Sequence, residues 1–193
     1  MGAKANKSVI WTCNYVSPCG ELVLGAVHGR LCLCDWLSEK HRDTVCRRLR
    51  KGFKAEFREI SDVRDICLPG SEEYLANAVL ARAAAELDEY FDRKRTEFTL
   101  PIALTGTGFQ KKVWNELLAV PYGETISYKE QAFRVGEPSA LRAVASANGM
   151  NAISVFVPCH RVIGSDNSLT GYGGGLKAKR YLLDLEQKTL FDI

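Results

Sequence analysis

Residues 157–164 read Val-Pro-Cys-His-Arg-Val-Ile-Gly, which sets a cysteine beside a histidine. The pair lies between an apolar run, Ile153 to Val157, and a Gly-rich polar segment, Gly164 to Gly175. A thiol attacks only as the thiolate, so a nearby base or positive potential must bring its pKa down from roughly 8.5. A Cys–His pair is the simplest arrangement that meets this need. Neighbouring side chains on an extended segment point to opposite faces. Cys159 and His160 therefore communicate only through a tight turn or a bridging water. A cysteine hydrolase would need the base in direct reach of the thiol, together with an oxyanion hole. No further motif in the chain supports that chemistry.

The elements that must position this pair belong to an ordinary globular chain. It has 193 residues, 46% hydrophobic and 25% charged, enough for one large domain or two small ones. No apolar stretch approaches the roughly 18 residues of a membrane span, so no membrane partner is expected. Met1 to Lys7 lacks the apolar core of a signal peptide and reads as a disordered lead into the first strand. The seven cysteines include no Cys-x-x-Cys pair, which argues against zinc-ribbon and thioredoxin readings. Reduced thiols in the cytoplasm are the default expectation. Cys32 and Cys34 share a strand face, and a metal site there with Cys13 or His28 competes with buried apolar thiols. The latter is preferred, and neither metal nor cofactor is expected. The net charge is +3, from 26 basic and 23 acidic residues. Neither half shows the basic stripe of a protein held to nucleic acid mainly by charge.

The first third reads as strands: Val9 to Val16, Glu21 to Val27 and Arg30 to Trp36, with Phe53 to Ile60 as a further candidate. Ser17-Pro18-Cys19-Gly20 is turn chemistry, and His28-Gly29 reads as a tight hairpin. Ser71 opens a long helix to about Asp92, with Tyr74, Leu75, Ala78, Leu87, Tyr90 and Phe91 as its buried stripe. Lys94 to Gly106, with Pro101, reads as a linker. Thr107 then caps a helix in which Phe109, Val113 and Leu117 recur every four residues. Ser127 and Glu130 make a capping-box pattern for a helix from Tyr128 to about Val135. After Gly136, Pro138 suits the first turn of another helix running to Asn148-Gly149. Two short helices joined this way form a helix-turn-helix candidate. The second carries small side chains on several sides and a single long cation, Arg142.

Phe109 to Trp114, Pro121 to Tyr128, Leu141 to Val144, Pro158 to Gly164 and Leu169 to Leu176 follow one another at a recognisable spacing. Over roughly residues 105–188 the chain resembles the O6-alkylguanine-DNA alkyltransferases, or methylated-DNA–protein-cysteine methyltransferases, of the bacterial stand-alone type. The resemblance implies an α/β (α+β) protein. A ribonuclease H-like domain, residues 1–100, would hold a three-stranded antiparallel sheet plus a helix. A helical, winged helix-turn-helix-like domain, residues 107–193, would carry the active site, with 94–106 as linker.

The resemblance also assigns roles. Cys159 is the implied nucleophile, taking the alkyl group from guanine O6 once and irreversibly. His160 acts through a bound water, Glu186 orients His160, and Asn151 braces the turn. Arg142 is the finger that fills the space of a flipped base, and Tyr128 contacts the adjacent phosphate and the flipped base. The carbonyls of Val162 and Cys159, with Tyr172 and Gly173, would line the base pocket. Ser139, Ala143 and Ser146 suit close approach to the minor groove, which carries little sequence information. The implied partner is double-stranded DNA containing O6-alkylguanine, with O4-alkylthymine a second candidate, and the implied state is a monomer. A lesion-binding protein that transfers nothing is the alternative; the members of that group lack the reactive cysteine. The chain departs from the usual bacterial pattern at Met150, where Arg is common, and at Ala152, where Pro is common. These departures loosen the turn after Asn151 and remove a possible phosphate contact.

Overall fold

The computed structural model describes residues 8–38, 40–60 and 70–187. The lead segment 1–7 and Cys67 lie outside them. β1 (Ser8–Ser17), β2 (Gly20–Val27) and β3 (Arg30–Trp36) form consecutive hairpins. The β2–β3 turn consists of His28 and Gly29, with φ of 50° and 70°. Positive φ at both turn residues matches the right-handed twist of the flanking strands. At the β1–β2 turn, Ser17 Oγ donates to Gly20 O at 2.6 Å.

Two features of this half differ from the sequence expectation. The sheet has four strands in the order β3-β2-β1-β4, because β4 (Ala55–Glu59) pairs parallel to β1. A parallel neighbour needs a crossover connection. Here α1 (Arg42–Phe53) and the β3–α1 turn supply it. Val45, Leu49 and Phe53 recur every four residues in α1, the period that marks a helix.

α2 (Glu72–Phe91) covers the sheet, and Ser71 Oγ accepts from Tyr74 N as its N-cap. Its buried face is Ala76, Val79, Leu80, Ala83, Leu87 and Tyr90. Tyr74 and Leu75 are about half exposed and Ala78 is exposed, so the expected stripe was out of phase in its first two turns. The misphasing has a cause: Asn77 and Glu86 are also buried, so polarity does not trace the inward side. Glu86 accepts from Thr99 N, Thr99 Oγ1 and Leu100 N, which pins the segment after α2.

The 94–106 segment is stitched to the sheet. Leu31 N donates to Pro101 O at 3.0 Å and Ala103 N donates to Leu31 O at 2.8 Å. Further along the same strand, Cys34 N donates to Ala152 O at 2.8 Å and Ser154 N donates to Cys34 O at 2.6 Å. The outer edge of β3, which would otherwise present unpaired backbone groups, holds the segment that follows Asn151.

The helical half holds α3 (Gly108–Leu118), β5 (Ile126–Ser127), α4 (Tyr128–Arg134), α5 (Leu141–Gly149), β6 (Val162–Ile163) and α6 (Gly175–Gln187). Thr107 and Gln110 form a reciprocal capping box on α3, and Ser127 Oγ accepts from Glu130 N at the start of α4. α4 ends in a Schellman arrangement: Gly136 N donates to Phe133 O, Glu137 N donates to Ala132 O, and Gly136 has φ 80°. α5 begins at Leu141, not near Pro138. Ala140 occupies its N-cap and supplies no side-chain acceptor. The two helices are locked by a buried amide pair, Asn148 Nδ2 to Gln131 Oε1 at 2.7 Å and Gln131 Nε2 to Asn148 Oδ1 at 3.2 Å. Trp114 Nε1 donates to Ala147 O at 2.8 Å and ties α3 to the same helix.

Candidate active site

Cys159 to Arg161 form a single 3-10 turn rather than an extended segment. Consecutive side chains on such a turn diverge by about 120°. Cys159 lines a cavity of about 830 Å3, while His160 is fully buried behind it. Asn151 holds the turn from the other side. Its Nδ2 donates to Val157 O at 2.8 Å and to Cys159 Sγ at 3.4 Å, and its Oδ1 accepts from Ile153 N. An N–H aimed at sulfur favours the thiolate. Burial nevertheless dominates and pushes the Cys159 thiol up to about 11. The resting residue is a thiol that must lose its proton to a base.

His160 sits behind the thiol with the surroundings of a neutral imidazole. Its Nε2 lies 2.8 Å from Glu186 Oε1, and its Nδ1 is buried with no partner among the described residues. With the carboxylate holding the Nε2 proton, the free lone pair belongs to Nδ1. Burial lowers the His160 pKa more than Glu186 raises it, so the ring stays neutral.

Glu186, projecting from α6, gathers donors from three other segments. Oε1 accepts from Tyr90 Oη at 2.7 Å and from Arg161 Nη2 at 3.1 Å in addition to His160. Oε2 accepts from Arg161 Nε at 2.9 Å and from Gly123 N at 3.1 Å. Hydrogen bonds from His160 and Arg161, with the guanidinium charge beside it, outweigh its burial and hold the carboxyl at about 2. Arg161 is completed by Val120 O, which accepts from Nη1 at 2.6 Å.

The cavity walls come from both halves of the chain. Tyr128, Arg142, Tyr172 and Gly173 line it, and so do Ser38, Lys40 and His41 from the β3–α1 turn. On α5, Arg142, Ala143 and Ser146 are exposed. Ser139 is exposed in the turn before the helix. Val162 differs from expectation: it is fully buried and outside the cavity lining, and its carbonyl accepts from Lys179 Nζ at 2.6 Å. The Cys159 carbonyl accepts from Val162 N. Each oxygen keeps a second lone pair for a ligand amino group.

Lys179 is one residue that sequence reasoning missed. It is fully buried in α6, and its Nζ also donates to Thr170 O at 2.7 Å. It therefore clamps the Gly-rich loop to the strand that follows the cysteine turn. Burial lowers its pKa to about 8, and its charge favours the Cys159 thiolate. A signal was present: Lys179 lies two helical turns before Glu186, on the same face as buried Leu182 and Leu183. Trp36, also missed, comes from β3 and packs edge-on to Tyr172 with ring centroids 5.8 Å apart. A Cβ at Gly174 would stand 2.5 Å from this indole, so only glycine fits there. Tyr172 Oη is buried without a hydrogen bond of ordinary geometry, beside Cys159 and Trp36.

The possible metal cluster is not assembled. His28 sits at a hairpin tip near Glu72, and Cys32 and Cys34 are buried thiols whose pKa burial raises. Among the described residues, no group of three His, Cys, Asp or Glu could hold a metal ion.

Comparison with known proteins gives the same picture over most of the chain. Residues 108–188 match the family described as 6-O-methylguanine DNA methyltransferase, DNA binding domain. Residues 14–104 match its ribonuclease-like domain. A methylated-DNA–protein-cysteine methyltransferase of Mycobacterium leprae is 52% identical over 122 residues, covering 60% of this chain and 74% of the relative. The inducible Bacillus subtilis protein of that name is 47% identical over 120 residues, covering 62% and 67%. The crystal structure of Mycobacterium tuberculosis OGT in complex with DNA superposes with a TM-score of 0.70 at 39% identity, covering 93% of each chain. With both domains matched in order and relatives near half identical, this chain belongs to the methylated-DNA–protein-cysteine methyltransferase family.

Proposed function

We infer that this protein repairs DNA by direct reversal, moving the alkyl group from O6-alkylguanine in a duplex onto its own Cys159. The observation that carries this reading is the arrangement around the thiol. A buried, neutral imidazole has its Nε2 held by Glu186 and its Nδ1 unpartnered among the described residues, next to a cysteine at the wall of a cavity flanked by Arg142 and Tyr128. Tyr128 Oη donates to Thr170 O at 3.4 Å, which places the phenol over the Gly-rich loop.

The target base is buried in the stack and must be flipped out to reach the thiol. Arg142 fills the vacated space, and α5 presents only small neighbours to the groove. His160 takes the thiol proton through a bridging water. Cys159 Sγ then attacks the alkyl carbon, the S–C bond forms and the C–O6 bond breaks. The electron pair leaves with O6, and the proton released from the thiol ends on the base, restoring guanine. The thioether is stable, so each molecule reacts once. The working unit in this reading is a monomer. Among the described residues Cys13, Cys19, Cys32, Cys34 and Cys46 are free thiols, which supports a reducing, cytoplasmic setting.

The test is intact-protein mass after incubation with duplex DNA carrying one O6-methylguanine, with Cys159→Ser alongside. Wild type gains one methyl-for-hydrogen substitution, the variant gains none, and repaired DNA never exceeds protein on a molar basis. Tight lesion binding with no mass change in wild type would instead make this a lesion-binding protein. The reaction also has an expected pH profile. Because burial lowers the His160 pKa from the ordinary 6.5, the single-turnover rate holds its plateau as pH falls through 6.5 and drops only at lower pH. A midpoint at or above 6.5 would exclude His160 as the base described here.

A further inference from the structure

Charge is concentrated where the residue totals do not reveal it. α1 carries Arg47, Arg50 and Lys51, and Lys54 is its C-cap; all four are exposed. At 100° per residue they fall within about 100° of the helix circumference, opposite buried Val45 and Leu49. Asp43 is the only acid in the helix, and among the described residues none of the four cations pairs with a carboxylate. A protein of net charge +3 thus holds a compact basic face on one element.

The helix that carries this face is anchored beside α5 and the cavity. The turn that leads into α1 lines the cavity together with Arg142, through Ser38, Lys40 and His41. Arg48 fixes the middle of α1 against the end of α5. Its Nη2 donates to Met150 O at 2.8 Å, and its guanidinium lies 4.9 Å over the Trp114 ring. α1 therefore starts at the cavity mouth and runs past the C-terminus of α5. Its twelve residues span about 18 Å, roughly five steps along a DNA strand at about 3.4 Å each.

We propose that the exposed face of α1 is a second DNA-contacting surface, gripping the phosphate backbone of the duplex beyond the flipped lesion. The proposal rests on the reading of this protein as a DNA alkyl acceptor. Phosphates are its occupant because the face offers four exposed cations, with the Arg50 guanidinium held 5.0 Å over the Phe57 ring, and no carboxylate partner among the described residues. Such contacts add affinity without sequence preference, as a protein acting at any site requires. They also supply the basic stripe that the charge totals of each half of the sequence conceal.

The test uses full-length protein and the triple variant Arg47→Ala, Arg50→Ala, Lys51→Ala, whose substitutions suit an exposed helix. Binding is measured against salt on duplexes of about 10 and about 24 base pairs, each with a central O6-methylguanine, so that only the longer one reaches α1. On the longer duplex, three lost phosphate contacts lower the salt slope by about 2.7 and the affinity on the order of 10- to 100-fold at about 0.15 M salt. On the shorter duplex, wild type and variant bind alike. Unchanged slope and affinity on the longer duplex would overturn the proposal. So would a variant that loses only concentration-dependent clustering on DNA, since the face would then meet a second copy of the chain. Methyl uptake by wild type separates the two questions: if it is absent the repair reading fails, and if it is present with equal slopes only the role of α1 fails.

Discussion

Glu186→Gln is expected to lower both stability and transfer rate more than any other single substitution outside Cys159. Five donors converge on this carboxylate from Tyr90, Gly123, His160 and Arg161. An amide can accept through one atom only, and its own N–H groups would face other donors. Arg161 would be left a buried cation without its counter-charge, a loss that typically costs about 3–5 kcal/mol. For a chain of this size that is roughly 10 °C in Tm. The imidazole would lose the group that holds its Nε2 proton, and single-turnover transfer should slow by about 10²- to 10⁴-fold. Thermal melts and quench-flow methyl transfer measure the two effects separately. A variant within twofold of wild type in rate and about 2 °C in Tm would show that Glu186 neither orients the base nor compensates Arg161.

The same residue gives the acid limb of stability a definite sign. The Glu186 carboxyl lies at about 2 in the fold against an ordinary 4.5. A depressed carboxyl contributes stability in full above 4.5, and that contribution is lost as pH falls from 4.5 through about 2. The difference is worth about 3 kcal/mol. The Tm gap between wild type and Glu186→Gln should therefore narrow across that window and be widest above it.

Lys179→Met carries the second large effect. The ammonium donates to Val162 O and Thr170 O, so its removal takes from the buried Val162 carbonyl a donor that the thioether cannot replace, while exposed Thr170 keeps Tyr128 Oη. That orphaned carbonyl costs about 1–3 kcal/mol, giving a fall in Tm of roughly 2–12 °C. The loop from Thr170 to Gly175 would also lose its tie to the strand following Cys159, and with it the fixed relation between Tyr128, Tyr172 and the thiol. Chemistry should change in a way that mere loosening does not produce. The Lys179 charge favours the Cys159 thiolate, so without it the thiol titrates higher. Alkylation of Cys159 by a small haloacetamide, followed against pH, should shift to higher pH in Lys179→Met, whereas Lys179→Arg should restore much of the wild-type profile. An unshifted profile in Lys179→Met would reduce Lys179 to a structural clamp.

Much of the site could be read from the chain because its signals are local. The cap at Thr107, the Ser127–Glu130 start of α4, the two-residue His28–Gly29 turn and the Gly136 helix stop each depend on a few neighbouring residues. Backbone sterics and nearby hydrogen bonds decide them, so sequence decides them. The Cys159–His160 pair is legible for the same reason. α1 is hard to read from the chain although Val45, Leu49 and Phe53 recur every four, because charged residues fill most positions between them and only Val45 and Leu49 are buried. The stripe of α2 was misphased because buried Asn77 and Glu86 break the rule that polarity marks the outward face.

By itself, then, the sequence determined which cysteine stands beside a histidine as the candidate nucleophile, the order of the helices and the likeness to a family. Tertiary structure alone decided what surrounds that pair. Glu186 meets His160, Arg161, Tyr90 and Gly123 across 26, 25, 96 and 63 residues of chain. Lys179 turns toward carbonyls rather than solvent, and the edge of β3 holds both Ile102 and Ile153. The physical reason is the range of the interactions. Helix caps and turns are settled within a few residues, but a buried charge is stabilised only by partners that folding brings from elsewhere. Which partners those are depends on the packing of the whole chain, and no local pattern records it.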